Sequence, residues 1–374
     1  MASEEAVNMR VADFLHMKGG NEKSSYANNS CTQEITIRNV QPLIKKIIKG
    51  IANLDGFPQC FNIADLGCST GPNTLLAVSN IINEVQEVCK EKNLETPQFQ
   101  VYLNDLFGND FNSIFKSLPM FYAELNKEQG VDFDSCFISA VPGSFHGRLF
   151  PDKSIHLFHS ANSLHWLSQV PKGIENNGLN VYLAKTSPPN VFEMYRIQFE
   201  KDFTTFLESR SKEIIDGGHM VLALGGRSDI DPSSNGRSCL WELFAKSLAD
   251  MAKEGLVRES DIQSFNVPMY NPCEDEVRGL IHKQGSFNLD TLESFETNWD
   301  PNDTNFANVK DSEEPNFGKR VAKKVRAAAE PMLVTYFGHS AMDLAFQKFG
   351  KYMDEHLSTE IIEIFVLVIS LTKI

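Results

Sequence analysis

The chain has 374 residues, 42% hydrophobic and 22% charged, which is enough for a large buried core and unlike a disordered polymer. Its net charge of −14 argues against a chain built to grip nucleic-acid backbones. Seven cysteines lie scattered without CxxC pairs or zinc spacing, so reduced thiols in the cytosol are the simplest reading. The start, "MASEEAVNMR", lacks a basic stretch followed by an apolar run, so a secretory leader is not expected. "MKGGNEKSSYANNS" is a Gly- and Ser/Asn-rich loop between two helical patterns. "EITIRNVQPLIKKIIKGIANL" has helical periodicity and leads into the apolar strand "FNIADLG". In "TLLAVSNIINEVQEVCKEK", Leu75, Val78, Ile82, Val85 and Val88 recur at three to four residues, predicting an amphipathic helix with Pro72 in its first turn. "FQVYLND", "SCFISAVPGS" and "HMVLALGG" predict further strands, and "SFNLDTLESF" and "EIFVLVISL" the last two. The C-terminal apolar run spans about 11 residues, too short to cross a bilayer as a helix. The polar, Pro/Asn-rich run "NWDPNDTNFANVKDSEEPN" predicts a loop.

Strands alternating with helices imply a parallel-rich α/β sheet with helices on both faces. The helix-rich interval from about Asp231 to Gln284, and another around 317–357, are too long for crossovers. They predict a cap over the C-terminal edge of the sheet, where open α/β folds bind ligands.

The turn in "NIADLGCSTGPNT" raises the question of a nucleotide-like ligand. A dinucleotide fold wants GxGxxG, whose middle glycine lets a pyrophosphate approach the backbone. Here Ser69 stands at that glycine, between Gly67 and Gly71, which counts against an NAD-type oxidoreductase. An acid at the strand end suits S-adenosylmethionine (SAM), whose ammonium group and ribose hydroxyls carboxylates can bind. Asp105, in "LNDL" at the end of the second strand, is the natural ribose acceptor.

The motifs "MKGG…SYANNS", "ADLGCSTGPN", "LNDLFGNDFN", "VPGSFHGRLFP", "SLHWLSQVP" and "VRAAAEPML" together resemble the plant SABATH methyltransferases over nearly the whole chain. That family methylates small acids such as salicylate, benzoate and jasmonate, and includes the caffeine-pathway N-methyltransferases. The resemblance implies a Rossmann-like class I SAM-dependent methyltransferase core with a mainly helical cap. Residues 1–36 would form a lid over SAM, 37–230 the core, 231–284 and 305–357 the substrate cap, and 285–297 and 361–374 the last strands. It also implies roles for residues. Tyr26 and Ser30 would close over SAM, with Ser30 at its carboxylate. Asp65, Gly67, Cys68 and Asn73 would line the first turn. Asp105 would hold the ribose, Leu106 would sit by the adenine, and Ser144 and Phe145 would frame its other side.

Methyl transfer from a sulfonium is an in-line displacement that needs alignment and exclusion of water more than acid or base. A carboxylate acceptor is already ionised at pH 7. Neither a triad nor a metal is therefore expected. Some relatives have a magnesium site with Asp in an Asp-x-Phe-Asn run, where this chain has Gln263 in "QSFN", which disfavours Mg²⁺. Gln33 and Trp166 match the family's hydrogen-bond donors to the methyl-accepting group, and Lys18 and Leu240 join the substrate set by the same resemblance. The family's salicylate enzymes have Tyr at Asn162 and Met at His165, so this wall is smaller and more polar. Gly225 replaces a clamping Leu, which predicts open space; Trp241 and Tyr270 keep aromatic walls, and Val325 replaces a Met.

Two substrate readings follow. One is an acid larger than salicylate, such as jasmonate, or a benzoate-type acid. The other is a xanthine nitrogen, with Asn162 reading the purine edge and His165 accepting a ring proton. A non-catalytic small-molecule receptor is a third class. The expected partner is a small molecule, with no nucleic acid and no membrane. A homodimer is expected by resemblance, and a cytoplasmic location with it.

Overall fold

Among the described residues, seven strands form one sheet; numbered along the chain, they lie in the order third, second, first, fourth, fifth, seventh, sixth. The computed structural model describes residues 10–54, 56–129, 135–233, 236–298, 317–360 and 362–374. Its strands are β1 (Cys60–Leu66), β2 (Gln98–Asp105), β3 (Cys136–Pro142), β4 (Ile155–Ala161), β5 (Ile214–Gly225), β6 (Phe287–Asn298) and β7 (Glu363–Lys373). Strands β1 to β5 pair in parallel, while β7 runs antiparallel to both β5 and β6. The predicted loop from Asn298 to Asn316 lies outside the described residues apart from its first residue.

Strand alternation divides the core in two. Phe61 and Ile63 of β1, Val221 and Ala223 of β5, and Val366 and Val368 of β7 face one core. Ala64 and Leu66, Leu222 and Leu224, and Leu367 and Ile369 face the other. A strand turns successive side chains to opposite faces, so a strand covered on both sides reads as a continuous apolar run. The first core is closed by α2 (Cys31–Leu54), α3 (Pro72–Lys92) and α4 (Phe111–Gln129), following the short helix α1 (Val11–Phe14). In α3, Leu75, Val78, Ile82, Val85 and Val88 are all buried, as their spacing predicts.

The second core is closed by α5 (Pro189–Glu213) and extends into the helices after β5. These are α6 (Gly236–Lys253), α7 (Glu259–Ser264), α8 (Glu274–Gln284), α9 (Phe317–Phe337) and α10 (His339–Leu357). Helices α9 and α10 pack on each other, and α10 packs on α6.

Strand β4, "IHLFHSA", escapes the sequence reading, which finds six strands. Its histidines interrupt the apolar run, yet both are used inside the sheet. His156 Nδ1 accepts the Asn62 N–H at 2.9 Å. His159 Nδ1 lies 2.7 Å from Asp65 Oδ1. Polar residues that find cross-strand partners cost little when buried, and they hide the pattern.

Candidate active site

The parallel strands deliver the site at their C-terminal ends, as open α/β sheets do. Gly67 follows β1, Asp105 ends β2, Ser144 and Phe145 follow β3, and Asn162 follows β4. Two adjoining cavities lie over this edge, of about 670 and 850 Å³. Met17, Tyr26, Asn162 and Trp166 line both.

The smaller cavity is walled by Gly67, Ser69, Asp105, Leu106, Ser144, Phe145 and His146. Gly67 has φ +73°, and a Cβ there would meet Ser163 Oγ at 2.2 Å, so only glycine fits. Asp105 Oδ2 accepts the Ser69 N–H and Oδ1 the Leu106 N–H, each at 2.7 Å. Two lone-pair sites remain on this carboxylate, as a ribose diol requires. Burial pushes the Asp105 carboxyl up to about 6 despite the two N–H donors. Leu106 and Phe145 supply flanking apolar surface. These residues fit the ribose and adenine of SAM.

The loop carrying Phe145 is held from beneath by a buried ion pair. Arg210 Nη1 and Nη2 donate to the carbonyls of Phe145 and Gly147, each at 2.7 Å, and Nε donates to Glu213 Oε2 at 2.6 Å. Glu213 Oε1 in turn accepts the Leu149 and Phe150 N–H groups at 2.6 and 3.1 Å. Every strong hydrogen-bonding atom of the pair is thus used, the condition under which a buried pair is tolerated.

The other residues assigned to SAM do not reach the cavity wall. Asp65 accepts from Thr74 Oγ1 at 2.6 Å and meets His159. Asn73 donates to the Ser30 carbonyl at 2.9 Å, tying the N-terminal segment to the turn. Cys68 is buried beside Asn109, 3.9 Å away. In their place, Val11, Leu15, His16 and Met17 of the N-terminal segment line the cavity. No local pattern marks them for that role.

The larger cavity collects Gln33, Asn162, His165, Trp166, Leu240, Trp241 and Val325, together with Tyr26 and Met17. Buried Gln33 Oε1 and Asn162 Nδ2 have no hydrogen-bond partner. Asn162 has φ +57°, a left-handed conformation that Asn tolerates, and it aims the amide back from the end of β4. The strip "SLHWLSQVP" is anchored by Asp202, which accepts from Ser168 N at 2.8 Å and Ser168 Oγ at 2.7 Å. Trp166 also forms an isolated bridge with Met269.

Lys18 and Tyr270 lie off this wall. Lys18 Nζ pairs with Glu330 at 2.5 Å, joining the N-terminal segment to α9. Tyr270 is buried, and its hydroxyl donates to Glu276 Oε1 at 2.8 Å.

Gly225 does not leave the open space that its lack of a side chain predicts. Arg237 fills it: a Cβ on Gly225 would lie 2.7 Å from Arg237 Cζ. Arg237 lines the larger cavity, and sequence reasoning passed over it. The signal existed, because Leu240 and Trp241 follow it by three and four residues and so share its helix face. Arg237 Nη1 lies 3.0 Å from His165 Nε2, while His165 Nδ1 faces the Gly225 N–H at 3.1 Å. A neutral imidazole carries one N–H, so it accepts only one of these two donors. Burial, then the Arg237 charge, holds the His165 imidazole well below its usual range. Among the described residues, no group of three or more His, Cys, Asp or Glu could hold a metal ion. No described helix is long and apolar enough to cross a membrane. Gln263 is exposed and lies 3.4 Å from Glu259 Oε1.

Sheet order, strand-end carboxylate and paired cavities define a SAM-dependent methyltransferase of the Rossmann-like class I type, with a mainly helical cap. The chain belongs to the SABATH family: the family described as SAM-dependent carboxyl methyltransferase matches residues 12–374. Relatives include a probable jasmonic acid carboxyl methyltransferase 1 of Theobroma cacao, 44% identical over 98% of this chain and 100% of that protein. A 3,7-dimethylxanthine N-methyltransferase of Camellia sinensis var. assamica is 40% identical over 98% of each. The solved structure of a loganic acid methyltransferase with SAH superposes with a TM-score of 0.82 at 31% identity, covering 96% of this chain and 98% of that one.

Proposed function

We propose that the chain transfers a methyl group from SAM to the carboxylate of a small organic acid, giving a methyl ester. The acid is one larger than salicylate, of the jasmonate kind, or a benzoate-type acid. One observation carries this reading. Among the described residues, the walls of the larger cavity hold two cationic side chains, Arg237 and Lys324, and no carboxylate. Such a cavity favours an anion over a neutral ring.

In this reading SAM brings the methyl group on a sulfonium, and the protein aligns the acceptor behind it. Asp105, Leu106, Ser144 and Phe145 hold the cofactor, and Gln33 and Trp166 orient the acceptor carboxylate by N–H donation. Ser30, Asp65, Cys68 and Asn73 shape the cofactor end from behind the wall. The N-terminal segment serves as a lid, tied down through Lys18 and Asn73. The helices after β5 form the substrate cap. A homodimer in the cytosol belongs to the same reading.

The rival reading is N-methylation of a xanthine, for which the unpartnered Asn162 amide speaks. It needs a base for the ring proton, and His165 is too weak a base in this surrounding. A neutral purine also brings no negative charge to Arg237. The test is incubation with methyl-labelled SAM and a panel of salicylate, benzoate, jasmonate, indole-acetate and methylxanthines, followed by mild base. Label released as methanol marks an ester and supports the proposal. Label that survives base marks an N-methyl product and overturns it. Binding without any transfer would point to a receptor.

A further inference from the structure

Arg237 is the least satisfied charged group in the site. Its contacts are His165 Nε2 at 3.0 Å and Met269 Sδ at 3.6 Å, both poor acceptors for a guanidinium. Its buried Nε has no partner. No ion pair joins it to a carboxylate among the described residues. Lys324, the other cation on the wall, has a partner of its own. Breaking a buried pair is costly because it strands a charge, and the half-buried Arg237 approaches that condition among the described residues.

Position separates Arg237 from the reacting end. It does not line the cofactor cavity, whereas Tyr26, Asn162 and Trp166 do. It lines instead, with Ile364, both the larger cavity and an outer cleft. Charge balance points the same way. A carboxylate oxygen that accepts the methyl forms an O–CH3 bond and becomes neutral, as the C–S bond breaks and leaves its electron pair on sulfur. Sulfonium and carboxylate charges vanish together. The Arg237 charge persists through that step, so a single carboxylate cannot serve it from start to finish.

We propose that Arg237 is a specificity-determining residue that grips a second anionic oxygen group of the acceptor, remote from the carboxylate being methylated. The acceptor class is then a small acid with two anionic groups, in the simplest case a dicarboxylate that leaves as its monomethyl ester. This deepens the carboxyl-methylation reading above and rests on it. Guanidinium and carboxylate match in a two-point hydrogen-bonded geometry, and Met17, Leu240, Trp241 and Val325 would cover the apolar span between the two anions.

The test compares matched acids: benzoate with isophthalate, and octanoate with suberate. The wild-type enzyme is expected to favour a dianion by about tenfold or more in kcat/KM, with one methyl incorporated per molecule. In Arg237→Gln that ratio falls to about one, and Arg237→Lys recovers part of it. Calorimetry with S-adenosylhomocysteine present gives a second readout: dianion affinity falls in Arg237→Gln. Unchanged S-adenosylhomocysteine affinity shows that the variant is folded. A wild type with no preference for either dianion overturns the proposal. So does a ratio that Arg237→Gln leaves intact, which would place Arg237 on the methylated carboxylate. Failure of every acid to give a base-labile methyl product sinks the carboxyl-methylation reading instead, and the calorimetric loss then still tests the anion site.

Discussion

The guanidinium of Arg237 occupies the volume that a side chain on Gly225 would need, with Arg237 Cζ 2.7 Å from the position of a Gly225 Cβ. One residue's missing side chain thus creates room for another residue's charge. Gly225→Leu should expel the guanidinium. Overpacking of this kind costs about 1–3 kcal/mol. We expect a matching loss in denaturant stability and a raised KM for the acid acceptor, with S-adenosylhomocysteine affinity preserved. A variant of unchanged stability and KM would mean that Arg237 does not need this space.

Asp105 links cofactor binding to pH. Burial raises its carboxyl to about 6, above the value in an unfolded chain. The sign follows directly. A raised carboxyl pKa favours the folded state only at low pH, and that stabilisation is lost as pH rises through about 6. Ribose binding, in contrast, needs the ionised form. The affinity for S-adenosylhomocysteine should therefore fall as pH drops below about 6, approaching tenfold per pH unit. Calorimetry at several pH values between 5 and 8 checks this. Asp105→Asn should bind weakly with a flat profile, and a sloping profile in that variant would implicate another group.

The Arg210–Glu213 pair supports the Phe145 loop. Arg210→Met leaves Glu213 Oε2 without its donor, while Arg148 Nε still pairs with Oε1 at 3.2 Å, and should destabilise the fold by about 1–3 kcal/mol, measured by urea unfolding. Two carbonyls of the loop lose their donors as well. Cofactor affinity should therefore fall even at temperatures where the variant stays folded. Wild-type affinity in a destabilised Arg210→Met would show that the loop holds its shape without the arginine.

The N-terminal segment is attached at a few points. The Lys18 N–H donates to the Ala327 carbonyl at 2.9 Å, and the Gly20 N–H to Asp110 Oδ2 at 3.1 Å. Lys23 is exposed between them and Tyr26. If the segment opens and closes, S-adenosylhomocysteine should slow trypsin cleavage after Lys23 severalfold. Equal cleavage with and without ligand would mean a preformed cover.

Much of the fold is legible in local pattern. Leu75, Val78, Ile82, Val85 and Val88 mark α3, and the acid and glycines around β1 mark the turn after it. Asp105 is legible because the end of a parallel strand is a place the topology sends to the ligand edge. Strand β4 is not, since His156 and His159 look exposed until their cross-strand partners are known. Asp65 reads as a cofactor ligand, yet it lies behind the cavity wall, against Thr74 and His159. Tyr270 reads as a pocket wall, yet its hydroxyl turns to Glu276.

The sequence by itself determined the α/β class, the methyltransferase family and part of the residue set around the two cavities. Those depend on periodicity and short motifs, which act within a few residues of chain. Only the tertiary structure decided which polar groups are satisfied by one another and which still face a cavity. Asp65 and Arg237 differ in just this respect. Folding places His159 against the first, 94 positions along the chain, and, among the described residues, no paired carboxylate against the second. Hydrogen-bond satisfaction is a property of packed neighbours, and no local pattern encodes who those neighbours will be.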